Sequence, residues 1–391
     1  MSLSLNATHM PSTSSKPSSG ILHPALASSF RDRNISLPAF ATCKTKELRS
    51  GHRGSVRGLG WSIDGRKLAT CGADRTIRIW VPERSIDHRA STELRGHTES
   101  VDQLIWHPTN PELLASAGAD KTVRIWDTRA RTATTTSTTS GAARGGGGGE
   151  SVIATPGANI NITYHPSGHY LAVGDKSDTV SIVDTRTNRI MHTVCSRRPT
   201  APANDSSYAP STNLSSYDEI NELTFSPDGS LLLLSSGSGS VHIHHTSSTP
   251  HPYARIHSHP THTANVFCIQ YDPLSRFIAT ASSDSMISLW DSKEWFSQKM
   301  ITSLTFPARA IGFSFDGELL AAAGEDAFIT INATTTASSE KSQGGDQVHK
   351  IGLAAGTMIN TLAWHPSKYV LAYAGDETLQ KDVGCVRVFN L

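Results

Sequence analysis

The chain has 391 residues, of which 37% are hydrophobic and 18% are charged, and 35 basic residues against 34 acidic ones give a formal net charge of +1. This length can form one large core or two to three average domains. The charge balance argues against a generally cationic protein that coats nucleic acid, although it leaves room for a local basic patch.

The five cysteines are scattered without a CxxC spacing, which favours a reducing compartment over a disulfide framework. No apolar run approaches the roughly 18 residues that a membrane span needs. We therefore expect a protein without a membrane partner.

The first 36 residues are predicted to be a disordered arm. The opening sequence MSLSLNATHMPSTSSKPSSG is rich in Ser, Thr and Pro and lacks the compact apolar core of a signal peptide. A mitochondrial presequence would carry more arginine than Arg31 and Arg33, so this alternative is the less favoured one.

A repeat in the forties of residues organises the rest of the chain. Its clearest copies are GHRGSVRGLGWSIDGRKLATCGADRTIRIW from Gly51, GHTESVDQLIWHPTNPELLASAGADKTVRIWD from Gly96 and THTANVFCIQYDPLSRFIATASSDSMISLWD from Thr261. A Gly-His start, a Trp-Asp end and this period are typical of the WD40 repeat, in which four short strands form one blade of a β-propeller.

Four degenerate copies bring the total to seven. They begin at Asn159, Glu219, Ala308 and Met358, and runs such as TIRIW and TVRIW carry β-branched residues with a period of two. The sequence therefore predicts an all-β, seven-bladed WD40 β-propeller over residues 37–391. We expect the segment Ala39–Leu48 to supply the outer strand of the last blade, which closes the ring and removes a free edge.

Three insertions interrupt the period, at residues 128–151, 196–216 and 333–347. All three are poor in large apolar residues and are predicted to be mobile surface loops. The run Gly145–Gly149 in the first insertion is not followed by Gly-Lys-Ser/Thr, so it is not interpreted as a phosphate-binding loop.

Each well-kept repeat contains a histidine, a hydroxyl, an aspartate and a tryptophan, the first three being the residue types of a catalytic triad. An enzyme needs one site in one cleft, whereas this set recurs from blade to blade, so we interpret it as a buried hydrogen-bond network and expect no catalytic residues. The three sets are His52, Thr70, Asp74 and Trp80; His97, Ser116, Asp120 and Trp126; and His262, Thr280, Asp284 and Trp290.

A dense histidine run could also suggest a metal site. It comprises His242, His244 and His245, then His251, His257, His259 and His262. No cysteine or acidic residue stands at metal-ligand spacing, so exposed strand and loop histidines are the favoured interpretation, and no metal or other cofactor is expected.

In each repeat, one residue directly follows the Val of the first strand, and its side chain is expected to point toward one face of the ring. We expect partners to bind on that face. Two Arg, one Phe, amides and acids make a mixed surface that suits a peptide or protein better than a bare phosphate backbone, although several of these residues could simply be solvated. The candidates are Arg57, Asp102, Ile160, Asn221, Phe267, Arg309 and Asn360, with Glu325 from the position before a repeat aspartate.

Three stretches resemble a particular WD40 family, the subunit 3 proteins of the THO complex. They are ESVDQLIWHPTNPELLASAGADKTVRIWD in blade two, GANINITYHPSGHYLAVGDKSDTVSIVD in blade three and MINTLAWHPSKYVLAYAGDE, followed by VRVFNL, in blade seven. The Thr- and Gly-rich insertion after blade two and the loop at 196–216 depart from the compact family pattern.

The resemblance implies a nuclear, non-enzymatic scaffold within THO, the core of the TREX assembly that couples transcription to mRNA packaging and export. Its partners would be other THO and TREX subunits, with mRNA contacted mainly through the complex and no small-molecule substrate. Two alternatives are a substrate-recognition or histone-binding adaptor of another nuclear complex, and an enzyme built on a propeller. No F-box or LisH segment, as many such adaptors carry, is recognisable in the sequence.

Overall fold

The computed structural model describes residues 38–48, 51–84, 87, 89, 91–129, 150–195, 218–247, 252–335, 347–377 and 384–391. In these residues the chain forms seven antiparallel sheets of four strands, which confirms the predicted seven-bladed all-β propeller. The helical content of this part of the chain is one short 3-10 helix, Phe40–Thr42.

Each of blades one to six uses four consecutive strands, which follow one another from the central channel outward. Blades one to three contain β2 (Val56–Trp61), β3 (Leu68–Gly72), β4 (Thr76–Trp80) and β5 (Thr92–Arg95); β6 (Val101–Trp106), β7 (Leu113–Gly118), β8 (Thr122–Asp127) and β9 (Glu150–Ala154); and β10 (Asn159–Tyr164), β11 (Tyr170–Asp175), β12 (Thr179–Asp184) and β13 (Arg189–Cys195).

The remaining blades follow the same order. They contain β14 (Ile220–Phe225), β15 (Leu231–Ser236), β16 (Ser240–His245) and β17 (Arg255–Pro260); β18 (Val266–Tyr271), β19 (Phe277–Ser282), β20 (Ile287–Asp291) and β21 (Ser297–Ile301); β22 (Ala308–Phe313), β23 (Leu319–Gly324), β24 (Phe328–Ala333) and β25 (Gln347–Gly352); and β26 (Thr357–Trp364), β27 (Leu371–Glu377) and β28 (Cys385–Phe389), completed by β1 (Thr45–Leu48).

The N-terminal strand closes the ring, as the sequence predicted. Strand β1 pairs antiparallel with β28, so that Thr45 lies opposite Phe389 and Leu48 opposite Val386. This pairing covers the edge of β28 that would otherwise be open to another chain. The closing strand is shorter than the expected segment Ala39–Leu48, because Phe40 instead stacks on Phe389 with 6.1 Å between ring centroids.

The hydrophobic core lies between the blades. The buried side chains form seven clusters, and each cluster combines residues from two neighbouring sheets. Between blades one and two, for example, Ile77 and Ile79 pack with Leu104 and Trp106. Every sheet is thus covered on both faces by its neighbours, and each blade depends on the two beside it.

The predicted arm at 1–36 and most of the three insertions lie outside the described residues. At their edges, the expected boundaries were wrong by one or two residues. Glu150 and Ser151 belong to β9, Ala333 ends β24 and Gln347 begins β25. Backbone hydrogen bonding extends the strands into segments whose composition alone resembles a loop.

Histidines at the ends of channel-lining strands join neighbouring blades. The Nε2–H of His165 donates to the carbonyl of Gly229 over 3.1 Å, and that of His365 donates to Gly65 over 3.0 Å. Both glycines have positive φ, which turns the carbonyl in a way that favours glycine. In blade five an arginine replaces the histidine, since Arg276 donates to the carbonyl of the corresponding glycine over 2.8 Å.

This bond geometry requires a neutral imidazole. The Nδ1 of His365 accepts the backbone N–H of Ser367 over 3.1 Å, so a proton on Nδ1 would replace an attraction by a repulsion. Burial lowers the pKa of His365 below its ordinary value of 6.5. An unfolded chain therefore takes up this proton first as the pH falls, and the stabilisation present above pH 6.5 is lost below it.

We predict that acidification destabilises the protein partly through His365. Between pH values of about 7.5 and about 5.5, the Tm of the wild type should fall further than that of His365→Gln, which retains an N–H donor but does not titrate. Thermal unfolding followed by circular dichroism measures both slopes, with His169→Gln, at an exposed position, as the matched control. Equal slopes for the wild type and His365→Gln would contradict this role.

Candidate functional site

The four repeated side chains of blade two form a continuous hydrogen-bond chain. The Nδ1–H of His97 donates to Asp120 over 2.9 Å, and the hydroxyl of Ser116 donates to His97 Nε2 over 2.8 Å. The indole N–H of Trp126 then donates to the same hydroxyl oxygen over 2.9 Å. Asp120 also accepts the backbone N–H of Thr98 over 3.0 Å. The loop before the blade is thereby tied to the turn between its second and third strands.

The same chain of bonds occurs in blades one and five. In blade one, His52 Nδ1 lies 3.0 Å from Asp74, His52 Nε2 lies 2.8 Å from the Thr70 hydroxyl, and the indole N of Trp80 lies 2.9 Å from the same hydroxyl. In blade five, the corresponding distances are 2.9, 2.9 and 3.1 Å, formed by His262, Asp284, Thr280 and Trp290.

Burial decides what these sets can do chemically. Ser116, Thr70 and Thr280 are fully buried, so their hydroxyls have no access to a substrate. Burial raises the pKa of Asp120, but hydrogen bonds from Thr122 and from the Thr98 N–H outweigh it and hold the carboxyl below its usual range. We therefore propose that the three sets brace their blades, and we call the face of the ring that carries them the brace face.

Blade four contains a rearranged brace that the sequence reasoning missed. The Nε2–H of His242 donates to Asp218 over 2.7 Å, and Ser238 supplies the same carboxylate with backbone N–H and hydroxyl donors. Burial raises the pKa of Asp218, but these bonds lower it to about 2. The only sequence signal is an acid at the start of the blade with a histidine in its third strand.

The expectation that the histidine run is exposed was wrong for His242 and His244, which are buried, and for His245 and His259, which are half-buried. His242 and His244 are each only 6% exposed, because both side chains point into the blade. His257 is exposed, whereas His259 is half-buried with its ring 4.8 Å from that of Trp290. His251 lies outside the described residues. Across the described ranges, no group of three or more His, Cys, Asp or Glu residues is arranged to hold a metal ion.

A β-bulge occurs near the start of every channel-lining strand. A bulge places one extra residue in a strand and changes the direction of its side chain. Each of the seven register shifts skips one residue, and the shifts lie in β2, β6, β10, β14, β18, β22 and β26. The skipped residues are Arg57, Asp102, Ile160, Asn221, Phe267, Arg309 and Asn360, which are the seven candidates from the sequence.

These bulges place a charged and aromatic group around the mouth of the channel. Arg57 of blade one forms an ion pair with Asp102 of blade two. The guanidinium of Arg309 lies 5.4 Å from the ring centroid of Phe267 and 2.7 Å from a carboxylate oxygen of Glu325. Arg57 and Arg309 are exposed, so both remain accessible to a partner.

Two of the candidate amides are used within the ring instead. The Nδ2 of Asn221 donates to the carbonyl of Val266 in the next blade over 3.1 Å. That of Asn360 donates to the carbonyl of Val56 over 3.2 Å, across the junction between the last and first blades. These side chains stabilise blade junctions and have fewer donors left for a partner.

The residue after each bulge lines the channel, and these positions were missed. The channel has a volume of about 580 Å³. Within it, the amide of Gln103 in blade two donates to both carboxylate oxygens of Glu222 in blade four over 3.1 Å. Burial raises the pKa of Glu222 to about 7. The set could have been found by counting one residue beyond each of the seven candidates: Gly58, Gln103, Asn161, Glu222, Cys268, Ala310 and Thr361.

Comparison with known families and proteins agrees with this geometry. The family model described as "WD domain, G-beta repeat" matches residues 43–81, 89–127, 209–245 and 253–291. THO complex subunit 3 of Arabidopsis thaliana is 35% identical over 356 residues, which cover 90% of this chain and 96% of that protein. WD repeat-containing protein AAC3 of Dictyostelium discoideum is 25% identical over 383 residues, covering 92% and 70% respectively.

Among solved structures, the Cps50 (Swd1) β-propeller domain of Myceliophteria thermophila superimposes with a TM-score of 0.66 at 16% identity. The match covers 89% of this chain and all of that domain, and it shows the shared fold. Among the described residues, no helix has the length and apolar character that a membrane span requires.

We predict that Asp120→Ala weakens the fold by leaving His97 and the Thr98 N–H without their buried acceptor. The expected loss is about 1–3 kcal/mol of unfolding free energy. Chemical denaturation measures this loss, and Glu99→Ala, at an exposed position of the same loop, is the matched control. An unfolding free energy equal to that of the control would refute the brace.

Proposed function

The chain belongs to the WD40-repeat family that includes THO complex subunit 3 of Arabidopsis thaliana, and on this premise we propose that it is the WD40 subunit of a THO complex. The propeller is a protein-interaction scaffold. Its proposed role within TREX is to help couple transcription to mRNA packaging and nuclear export, and its proposed location is the nucleus.

The extent of the similarity is the observation that supports this proposal most. The match to the plant subunit covers 96% of that protein, so it includes every blade and not only the consensus repeats. The match to the iron-sulfur assembly protein Ciao1 of Culex quinquefasciatus, in contrast, spans 60 residues.

The described surface supports a protein partner over a small-molecule substrate. At the channel mouth, Arg309 combines a charge with the aromatic ring of Phe267 and the carboxylate of Glu325. Arginine and aromatic side chains are enriched at protein interfaces, where they contribute most of the binding energy. The proposed partners are other THO and TREX subunits, and mRNA is contacted mainly through the complex.

Affinity purification of the tagged chain from nuclear extract tests the proposal. We expect THO subunits to co-purify, and we expect Arg309→Glu to reduce their recovery because it removes the ring contact and repels Glu325. Arg66→Glu, on the opposite face and highly exposed, is the matched control. Recovery of cullin or histone-modifying subunits without THO components would overturn the proposal in favour of an adaptor of another complex.

A further inference from the structure

The brace face is electrically polarised. Besides Arg57, which pairs with Asp102, four exposed basic residues lie on it in blades one to three. One follows the brace histidine of blade one, and the other three lie in the turns between the second and third strands of blades one, two and three. The acidic residues Glu219, Glu325 and Asp376 lie on this face in blades four, six and seven, where Arg309 is an exposed base, and Asp178 lies on it in blade three. We call the four bases the basic arc: Arg53, Arg75, Lys121 and Lys176.

Within the described residues, no ion pair neutralises the basic arc. Among the described residues its four side chains form no ion pair, although Glu99 is an exposed carboxylate in the same sector. Three exposed arginines on the opposite face behave differently, because each of the three pairs with an aspartate two residues earlier in its own turn. These pairs are Arg129 with Asp127 at 2.6 Å, Arg186 with Asp184 at 3.1 Å and Arg66 with Asp64 at 3.8 Å.

The backbone gives a second reason why the fold does not require these bases. Arg75 and Lys121 occupy equivalent turn positions with φ of 67° and 61°. This left-handed region disfavours residues with a side chain, and glycine adopts it at less cost. The equivalent residue is Asp178 in blade three, with φ of 58°, Gly239 in blade four and Ser285 in blade five. A long basic side chain at this position therefore adds no stability that a glycine would lack.

From this placement we propose that the basic arc binds a carboxylate-rich segment of a partner protein. The proposal rests on the proposed function as a scaffold, and it specifies the chemistry of one partner. Guanidinium groups match carboxylates with paired hydrogen bonds, and an arc of like charge speeds and orients the approach of an acidic chain. The acidic residues Glu219, Glu325 and Asp376 on the other side of the mouth repel that segment and so set its position.

A protein segment fits this surface better than single-stranded RNA. Proteins that bind single strands combine basic grooves with aromatic side chains on which bases stack. In the described part of the chain, the exposed phenylalanines are Phe296 and Phe306, which lie in blade five and after it. Among the described residues, the basic arc thus has charges for an anionic chain but no exposed phenylalanine beside them.

Fluorescence anisotropy with the purified full chain tests the proposal. The probe is a labelled peptide of glutamate and aspartate separated by glycine and serine, and the same peptide with glutamine and asparagine is the neutral control. A triple variant reverses the charge at three positions of the basic arc: Arg53→Glu, Arg75→Glu and Lys121→Glu. It should bind the acidic peptide about tenfold or more weakly than the wild type does. The matched control reverses Arg66, Arg129 and Arg186 on the opposite face, with the same change in net charge, and should remain within about twofold of wild type.

A second variant distinguishes a loss of peptide binding from a loss of folding. Arg75→Gly with Lys121→Gly places glycine at two positive-φ positions, so the Tm should be equal to or higher than that of the wild type while peptide binding falls.

Three results would overturn the proposal. These are equal losses in the two reversal variants, no preference for the acidic over the neutral peptide, and tighter binding of a uridine oligonucleotide that the basic arc variants abolish. If THO subunits still co-purify with the chain, any of these results rules out the basic arc proposal without contradicting the proposed function.

Discussion

Burial of both faces of every blade is the constraint on which the rest of this structure depends. Each of the seven core clusters is shared by two neighbouring sheets, so no blade has a complete core of its own. A row of such sheets would expose apolar surface at both ends, and only a closed ring removes it. The pairing of β1 with β28 is therefore a condition for the core of all the blades.

The closed ring leaves two faces with different tasks. On one face, bonds such as that from His365 to Gly65 join consecutive blades and use the turns for internal contacts. On the brace face, the buried His-Asp chains hold the loops in place, and the bulges turn Arg57 and Arg309 toward the mouth. A rigid support with outward-directed side chains is what a binding surface on a scaffold requires.

The sequence predicted the features that recur with the repeat. The seven bulge residues could be identified because each directly follows the Val of the repeat pattern or the residue that replaces it, and the His-Asp braces of three blades could be identified by their spacing. The brace of blade four could not, since His242 replaces the usual histidine from a different strand. Nor could the contact of Gln103 with Glu222, because it joins blades two and four and exists only once the ring has closed.

The central claim is that this propeller is a scaffold whose brace face receives its partners. Hydrogen–deuterium exchange of the free chain and of the chain in its purified complex compares the two faces directly. The account predicts new protection in the segments around Arg57, Asp102 and Arg309, and unchanged exchange in the turns around Gly65 and Gly229 on the opposite face. Protection confined to those turns, with the brace face unchanged, would contradict it.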